Sequence, residues 1–118
     1  MAFRATHKHV RISARKVRLL ADMIRGKFAD EALAILKFQP QRGAQILYKV
    51  LRSAVGNAQD PEQNKGRTIP VDQLVVTDCR VDGGPMFKRI RPRARGMAFG
   101  VLRRTSHVHV AVEDINEL

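Results

Sequence analysis

Apolar positions along the chain switch between two periods, and each switch marks an element. Residues 3–10, FRATHKHV, alternate imperfectly, with Phe3, Ala5, His7 and His9 on one face, and predict a short strand. Ser13 then suits a helix N-cap. Beyond it Val17, Leu20, Ala21 and Ile24 recur at helical spacing, while Arg15, Lys16, Arg18, Asp22 and Arg25 mostly fall on the remaining surface. Gly26 can end that helix in the left-handed conformation. A second helix is predicted over about 30–38, burying Leu33 and Leu36 with Ala29 and Ala32. Asp30 and Glu31 suit its N-terminal dipole, and Pro40 follows its end. A third runs over about 42–58 with Ala44, Leu47, Leu51, Ala54 and Ala58 on one face, widened by Ile46 and Val50. Gly56 costs it up to about 1 kcal/mol relative to Ala, which implies something packed closely there. The stretch 59–70, QDPEQNKGRTIP, is polar and rich in breakers, and predicts an irregular or mobile loop.

Alternation then returns. Over 74–82, Val75, Thr77, Cys79 and Val81 share one face, and Asp78, Arg80 and Asp82 share the other with Leu74 and Val76. A last strand over roughly 101–113 groups Ser106, Val108, Val110 and Val112. The two read as an antiparallel pair with one buried face, which 3–10 completes as a third strand. The fold class is therefore α+β: three helices packed on a small three-stranded antiparallel sheet, with a long protruding β-hairpin. The hairpin is the stretch between the last two strands. Pro92 and Gly96 suit a turn near its tip, and arms of about ten residues would project roughly 30 Å. The 118 residues fit one domain, with a globular body over 1–82 and 105–118 and the extended hairpin over about 83–104.

Charge changes what that hairpin can be. The formal net charge is +11, and its distribution is uneven. Residues 1–27 carry eight bases against Asp22 alone, residues 83–112 carry seven bases and no acid, and the rest is slightly acidic. Charge gathered in two segments of a near-neutral scaffold suggests two surfaces for a polyanion. A floppy, solvated charged loop is the plain alternative for the hairpin. Against it stand the single sign of the charge and the company it keeps: Met86, Phe87, Ile90, Met97 and Phe99 lie too far out for any protein core to bury them. A mixed basic and apolar ribbon suits a cleft walled by phosphates, sugars and bases. Arg outnumbers Lys six to one over 84–104, which favours bidentate phosphate contacts and stacking. An aromatic content of 5% without Trp argues against a platform for single strands and for contacts to phosphate and shape.

Other chemistry is poorly represented. Cys79 is the only cysteine, which excludes a disulfide within the chain or a thiolate metal cluster and predicts a buried small hydrophobe. The pairs His7/His9 and His107/His109 could meet on adjoining strands as a metal site. Arg4, Lys8, Arg103 and Arg104 nearby disfavour a cation, and no carboxylate is expected to orient the imidazoles. A basic nuclease would need a clustered set of acids or an acid–base pair, and the acids here are scattered. Gly83-Gly84-Pro85 lacks the Lys-Ser/Thr of a phosphate-cradling loop, and a groove-reading transcription factor would need a helix-turn-helix pair. No cofactor is expected. Neither a membrane span nor a secretory signal is evident, so a cytosolic protein is expected.

Four blocks in order make the chain recognisable: SARKVRLLADMIRGK (13–27), VLRSAVGNAQ (50–59), VDGGP with KRIRPRARG (81–85 and 88–96), and LRRTSHV (102–108). Together they resemble the family of large ribosomal subunit protein twenty-two, bacterial type, over nearly the whole length. Phe87, Arg91 and the stretch 97–99 depart from the family pattern. The resemblance implies an α+β body bound to large-subunit rRNA near the opening of the nascent-peptide tunnel, with a part in subunit assembly. It also implies a hairpin reaching the tunnel wall at the constriction, opposite protein four and near the macrolide site. The nascent peptide and neighbouring ribosomal proteins would be its further partners. On this reading the RNA-binding residues are Arg4, Lys8, Arg11, Arg15, Lys16 and Arg18 in the body, and Lys88, Arg89, Arg91, Arg93, Arg95, Arg103 and Arg104 in the hairpin. The tunnel segment is Phe87, Lys88, Arg89, Arg91, Pro92, Arg93, Ala94, Arg95 and Gly96. No catalytic residue is implied.

Overall fold

The three amphipathic stretches fold as helices α1 (Ala14–Ile24), α2 (Ala29–Phe38) and α3 (Arg42–Gln59). The computed structural model describes residues 2–62, 66 and 68–118. Strands β1 (Ala2–Val10), β2 (Leu74–Gly83) and β5 (Ser106–Asp114) form one antiparallel sheet in the order β1-β5-β2. Strands β3 (Phe87–Pro92) and β4 (Ala98–Arg103) form a second, two-stranded sheet. The class is α+β with antiparallel sheets. In the loop expected over 59–70, residues 63–65 and 67 lie outside the described residues; Ile69 is buried in the core.

The core follows the helical spacing except in α2, where Ala29, Ala32 and Leu36 are buried and Leu33 is only partly so. Val17, Leu20, Ala21 and Ile24 of α1 and Ala44, Leu47, Leu51, Ala54 and Ala58 of α3 are all buried, against Val108, Val110 and Val112 of β5. Central β5 thus lies under the helices, and both its neighbours are anchored by it.

Strand phase departs from simple alternation in two places. The pairing of β2 with β5 runs Val76↔Val112 and then Asp78↔Ala111, so Thr77 is an extra residue in β2. That bulge resets the phase. Leu74 and Val76, expected with the aspartates, join Cys79 and Val81 in the core, and Thr77 leaves it half-buried. In β1 the register shifts between His7 and Val10, where His9 takes a positive φ of 57°. The shift delivers Val10 to the core.

The predicted strand 101–113 is also broken. Arg104 and Thr105 separate β4 from β5, and residues 84–86 separate β2 from β3, so the hairpin is not a continuation of the three-stranded sheet. Gly83 pairs with Ser106 and Phe87 with Arg103, leaving one more residue on the first arm than on the second. Gly84 N–H donates to the Thr105 carbonyl at 2.9 Å, and buried Thr105 donates its hydroxyl to the Pro85 carbonyl at 2.6 Å. This knot turns the ribbon away from the sheet. Beyond it no residue from 85 to 100 is even half-buried, and the long dimension of the molecule reaches 66 Å against 27 and 18 Å.

Edge strand β2 is covered from outside. Gly26 N–H bonds the Val76 carbonyl and Val76 N–H bonds the Lys27 carbonyl, each at 2.9 Å. Further along, Arg18 Nε donates to the Val81 carbonyl at 3.0 Å, and Arg25 Nη2 donates to the Cys79 carbonyl. Two arginines seven residues apart, one within α1 and one just past its end, therefore cap carbonyls that an open edge would expose.

Candidate nucleic-acid interface

The turn after β1 places Arg11 beside the starts of two helices. Ile12 N–H returns to the Val10 carbonyl at 2.9 Å, after which α1 opens at Ala14 and carries Lys16 in its first turn. Helix α3 opens at Arg42, directly after Gln41. Arg103 ends β4 and Arg104 follows it in the break. A cleft lined by Arg11, Ser13, Lys16, Gln41, Arg42, Arg103 and Arg104 joins these four segments. A second cleft beside it adds Phe87 and Arg89. On the opposite side of the ribbon's foot, Arg15, Arg18 and Arg104 border a third, with Gly83, Gly84 and Met86. Arg104 borders all three.

The electrostatics of this junction are unbalanced. Neither α1 nor α3 has an acid in its first turn, and neither N-cap side chain bonds the helix. Orphan N–H groups and the positive dipole end of each helix thus face cations, an arrangement that is unfavourable until an anion arrives. Among the described residues the cations bordering these clefts make no ion pair: the pairs are Arg25–Asp22, Arg80–Asp78 and His109–Asp82. The arrangement suits phosphate, and a chain of phosphates better than one.

Of the bases singled out in the sequence, Arg11, Lys16, Arg103 and Arg104 are brought together, joined by Arg89 at the ribbon's foot. Arg15 and Arg18 lie round the corner, Arg18 with its Nε already committed to Val81. Arg4 and Lys8 are not part of the junction. Arg4 faces away on β1 opposite Ala111, about 20 Å of strand from Arg11. Lys8 lies exposed in the β1 bulge. Lys88, Arg91, Pro92, Arg93, Ala94, Arg95 and Gly96 are exposed along the ribbon and its tip. At that tip Arg93 N–H closes on the Met97 carbonyl at 2.6 Å, and Arg95 and Gly96 both take positive φ. Arg42 was missed, because in sequence it reads as one more solvated residue of α3. A base at the first position of a helix without a compensating acid was the available signal.

The histidines do something else. His9 N–H donates to His107 Nδ1 at 3.1 Å and the two rings meet edge-on at 4.9 Å. Thr6 Oγ1 lies 3.2 Å from His109 Nδ1, whose Nε2 is 3.1 Å from Asp82. A carboxylate does orient one imidazole, contrary to the sequence expectation, because the β2–β5 register sets Arg80 opposite His109 and Asp82 next to it. The rings hold β1 and β2 to β5. Among the described residues no group of three or more His, Cys, Asp and Glu is placed to hold a metal ion. Cys79 is buried as expected, and burial pushes its thiol up to about 12, so it stays protonated and unreactive at neutral pH. No helix among the described residues is long and apolar enough to cross a membrane.

Comparison with known proteins gives one answer. The profile of a family described as Ribosomal protein L22p/L17e matches residues 5–113. A Large ribosomal subunit protein uL22 from Rhodopirellula baltica is 64% identical over 98% of this chain and 98% of its own. Proteins of the same name from Maridesulfovibrio salexigens and Desulfotalea psychrophila are 52% and 46% identical, each over at least 97% of both chains.

Proposed function

The chain belongs to the ribosomal protein L22p/L17e family, and from that membership we propose that it grips ribosomal RNA at two connected surfaces, the clefts at the ribbon's foot and the ribbon itself. It is a structural constituent of the large ribosomal subunit, serving translation in the cytoplasmic ribosome and not an enzyme. The observation that carries the proposal is the convergence of Arg11, Lys16, Arg42, Arg103 and Arg104 between two uncapped helix starts. Phosphates there relieve cation–cation and cation–dipole repulsion together, and the guanidiniums can each take two oxygens. Arg15 and Arg18 extend the contact round the foot; Arg4 and Lys8 serve a separate contact on the β1 face. Arg89, Arg91, Arg93 and Arg95 carry RNA along the ribbon.

The division of labour follows. Residues 1–82 and 105–118 are the folded body, and 83–104 the extension. The body sits by the opening of the nascent-peptide tunnel and takes part in subunit assembly. The extension reaches the constriction near the macrolide site, opposite protein four. There Phe87, Lys88, Arg89 and the tip from Arg91 to Gly96 border the path of the nascent peptide. What supports this is the family membership together with the ribbon's exposure and the 66 Å long dimension.

Salt tests the electrostatic core of the reading. With about eight to ten phosphate contacts, affinity for large-subunit rRNA falls by roughly three to five decades between 50 and 200 mM salt. Replacing both Arg42 and Arg104 by Gln flattens the slope of log affinity on log salt by about 1 to 2. An affinity indifferent to salt would sink the proposal.

A further inference from the structure

In the sequence the ribbon's apolar and basic residues look interleaved; the strand register sorts them. Directly opposed residues of an antiparallel pair share a face, and successive residues alternate faces. The pairs Phe87↔Arg103, Arg89↔Val101 and Arg91↔Phe99 therefore lie on one face, and Lys88↔Leu102, Ile90↔Gly100 and Pro92↔Ala98 on the other. The first face holds three arginines and both of the ribbon's phenylalanines. The second holds a single lysine among aliphatic and small residues.

The first face is also partly assembled. The Arg89 guanidinium stands 5.6 Å from the centre of the Phe87 ring, a cation–π distance. Val101, in the middle of this face, is the one residue of β3 and β4 that is half-buried; the others are exposed. A guanidinium fixed over a ring leaves its edge donors for phosphate, while the phenyl faces beside it suit the unpaired bases that such phosphates carry. The composition argues against a stacking platform because aromatics are scarce, yet two of the chain's five phenylalanines fall on this one small patch.

We propose that beyond its foot the ribbon binds RNA through one face only: Phe87 and Phe99 stack on unpaired bases while Arg89, Arg91 and Arg103 take the adjoining phosphates, and the opposite face, at Lys88 and Ile90, is turned away from the RNA. This rests on the reading of the chain as an rRNA-binding protein and adds which face binds and which nucleotides it accepts. Duplex RNA offers phosphates but no base faces, so the partner is a single-stranded or looped segment.

The test uses the full-length chain and two matched charge changes on opposite faces, R91Q and K88Q, with binding to large-subunit rRNA read across a salt series. R91Q should flatten the salt slope by about 0.7 to 0.9, the share of one phosphate contact, and K88Q should leave it unchanged. Stacking is read with short probes, a twelve-nucleotide oligouridylate against a duplex of equal length. The native chain should prefer the single strand, and F99A should weaken that binding about five- to a hundredfold. I90S on the other face should change it less than about twofold. No residue from 85 to 100 is buried, and thermal unfolding of each variant confirms that binding alone is read. Equal slope losses for R91Q and K88Q, or a duplex preference that F99A leaves untouched, overturn the one-faced assignment while rRNA binding stands. Failure of the native chain to bind rRNA at all overturns the reading beneath it.

Discussion

Gly43 and Gly56 lie on the same helix, and only the structure tells them apart. A Cβ on Gly43 would meet Leu20 Cδ1 at 3.2 Å and Val17 Cγ2 at 3.3 Å, so this glycine lets α1 and α3 approach. A Cβ on Gly56 would meet nothing within 4 Å, which corrects the expectation that something packs against it. Gly56→Ala should therefore raise stability by up to about 1 kcal/mol, from helix propensity and a less flexible unfolded chain. Gly43→Ala should gain less or lose, because two buried side chains must give way. Urea unfolding of the two variants distinguishes them, and an equal gain at both positions would remove the packing argument. Residue identity alone carried the other side of this account: the α1 stripe and the burial of Cys79 were legible because apolar side chains at helical or strand spacing have one place to go.

At the scale of elements, the helices were read nearly to their ends, and the strands were not. A helix repeats its face every three or four residues, so one misplaced residue changes little. A strand has period two, and one inserted residue exchanges its faces. Thr77 and the β1 turn at His9 are such insertions, and nothing local in TDC or HKH announces them. The break at the ribbon's foot is of the same kind. It depends on Gly84, where a Cβ would stand 2.5 Å from Thr105 Oγ1 and 3.3 Å from its carbonyl carbon. Gly84→Ala should displace the Thr105 hydroxyl from the Pro85 carbonyl and cost about 1–3 kcal/mol, the range for forcing extra volume into a packed site. Thermal unfolding measures the loss, and amide exchange at Gly83 and Ser106 locates it. An unchanged melting temperature would mean that the knot does not hold the foot.

Across the whole molecule, the radius of gyration is 17.6 Å, where a compact chain of this length has about 13–14 Å. The excess belongs to the ribbon, which has no buried residue. Deleting Phe87, Lys88 and Arg89 should therefore leave the thermal transition within a few degrees, while ribosomes carrying the deletion should show altered peptide passage or macrolide response. Loss of the cooperative transition would instead make the ribbon part of the folding core. The amino-acid sequence by itself determined the helices, the buried stripe, the sign and rough location of the charge, and the family. Each of these follows from side-chain chemistry or from order along the chain. The tertiary structure alone decided which bases stand together, where the ribbon breaks from the sheet, and how its residues divide between two faces. Arg11, Arg42 and Arg104 are strangers in sequence, and only the closing of β1 and β5 around two helix starts makes them one surface. The ribbon's two faces rest in turn on a register that is set by pairing across a turn, and pairing is a property of two strands, not of either one.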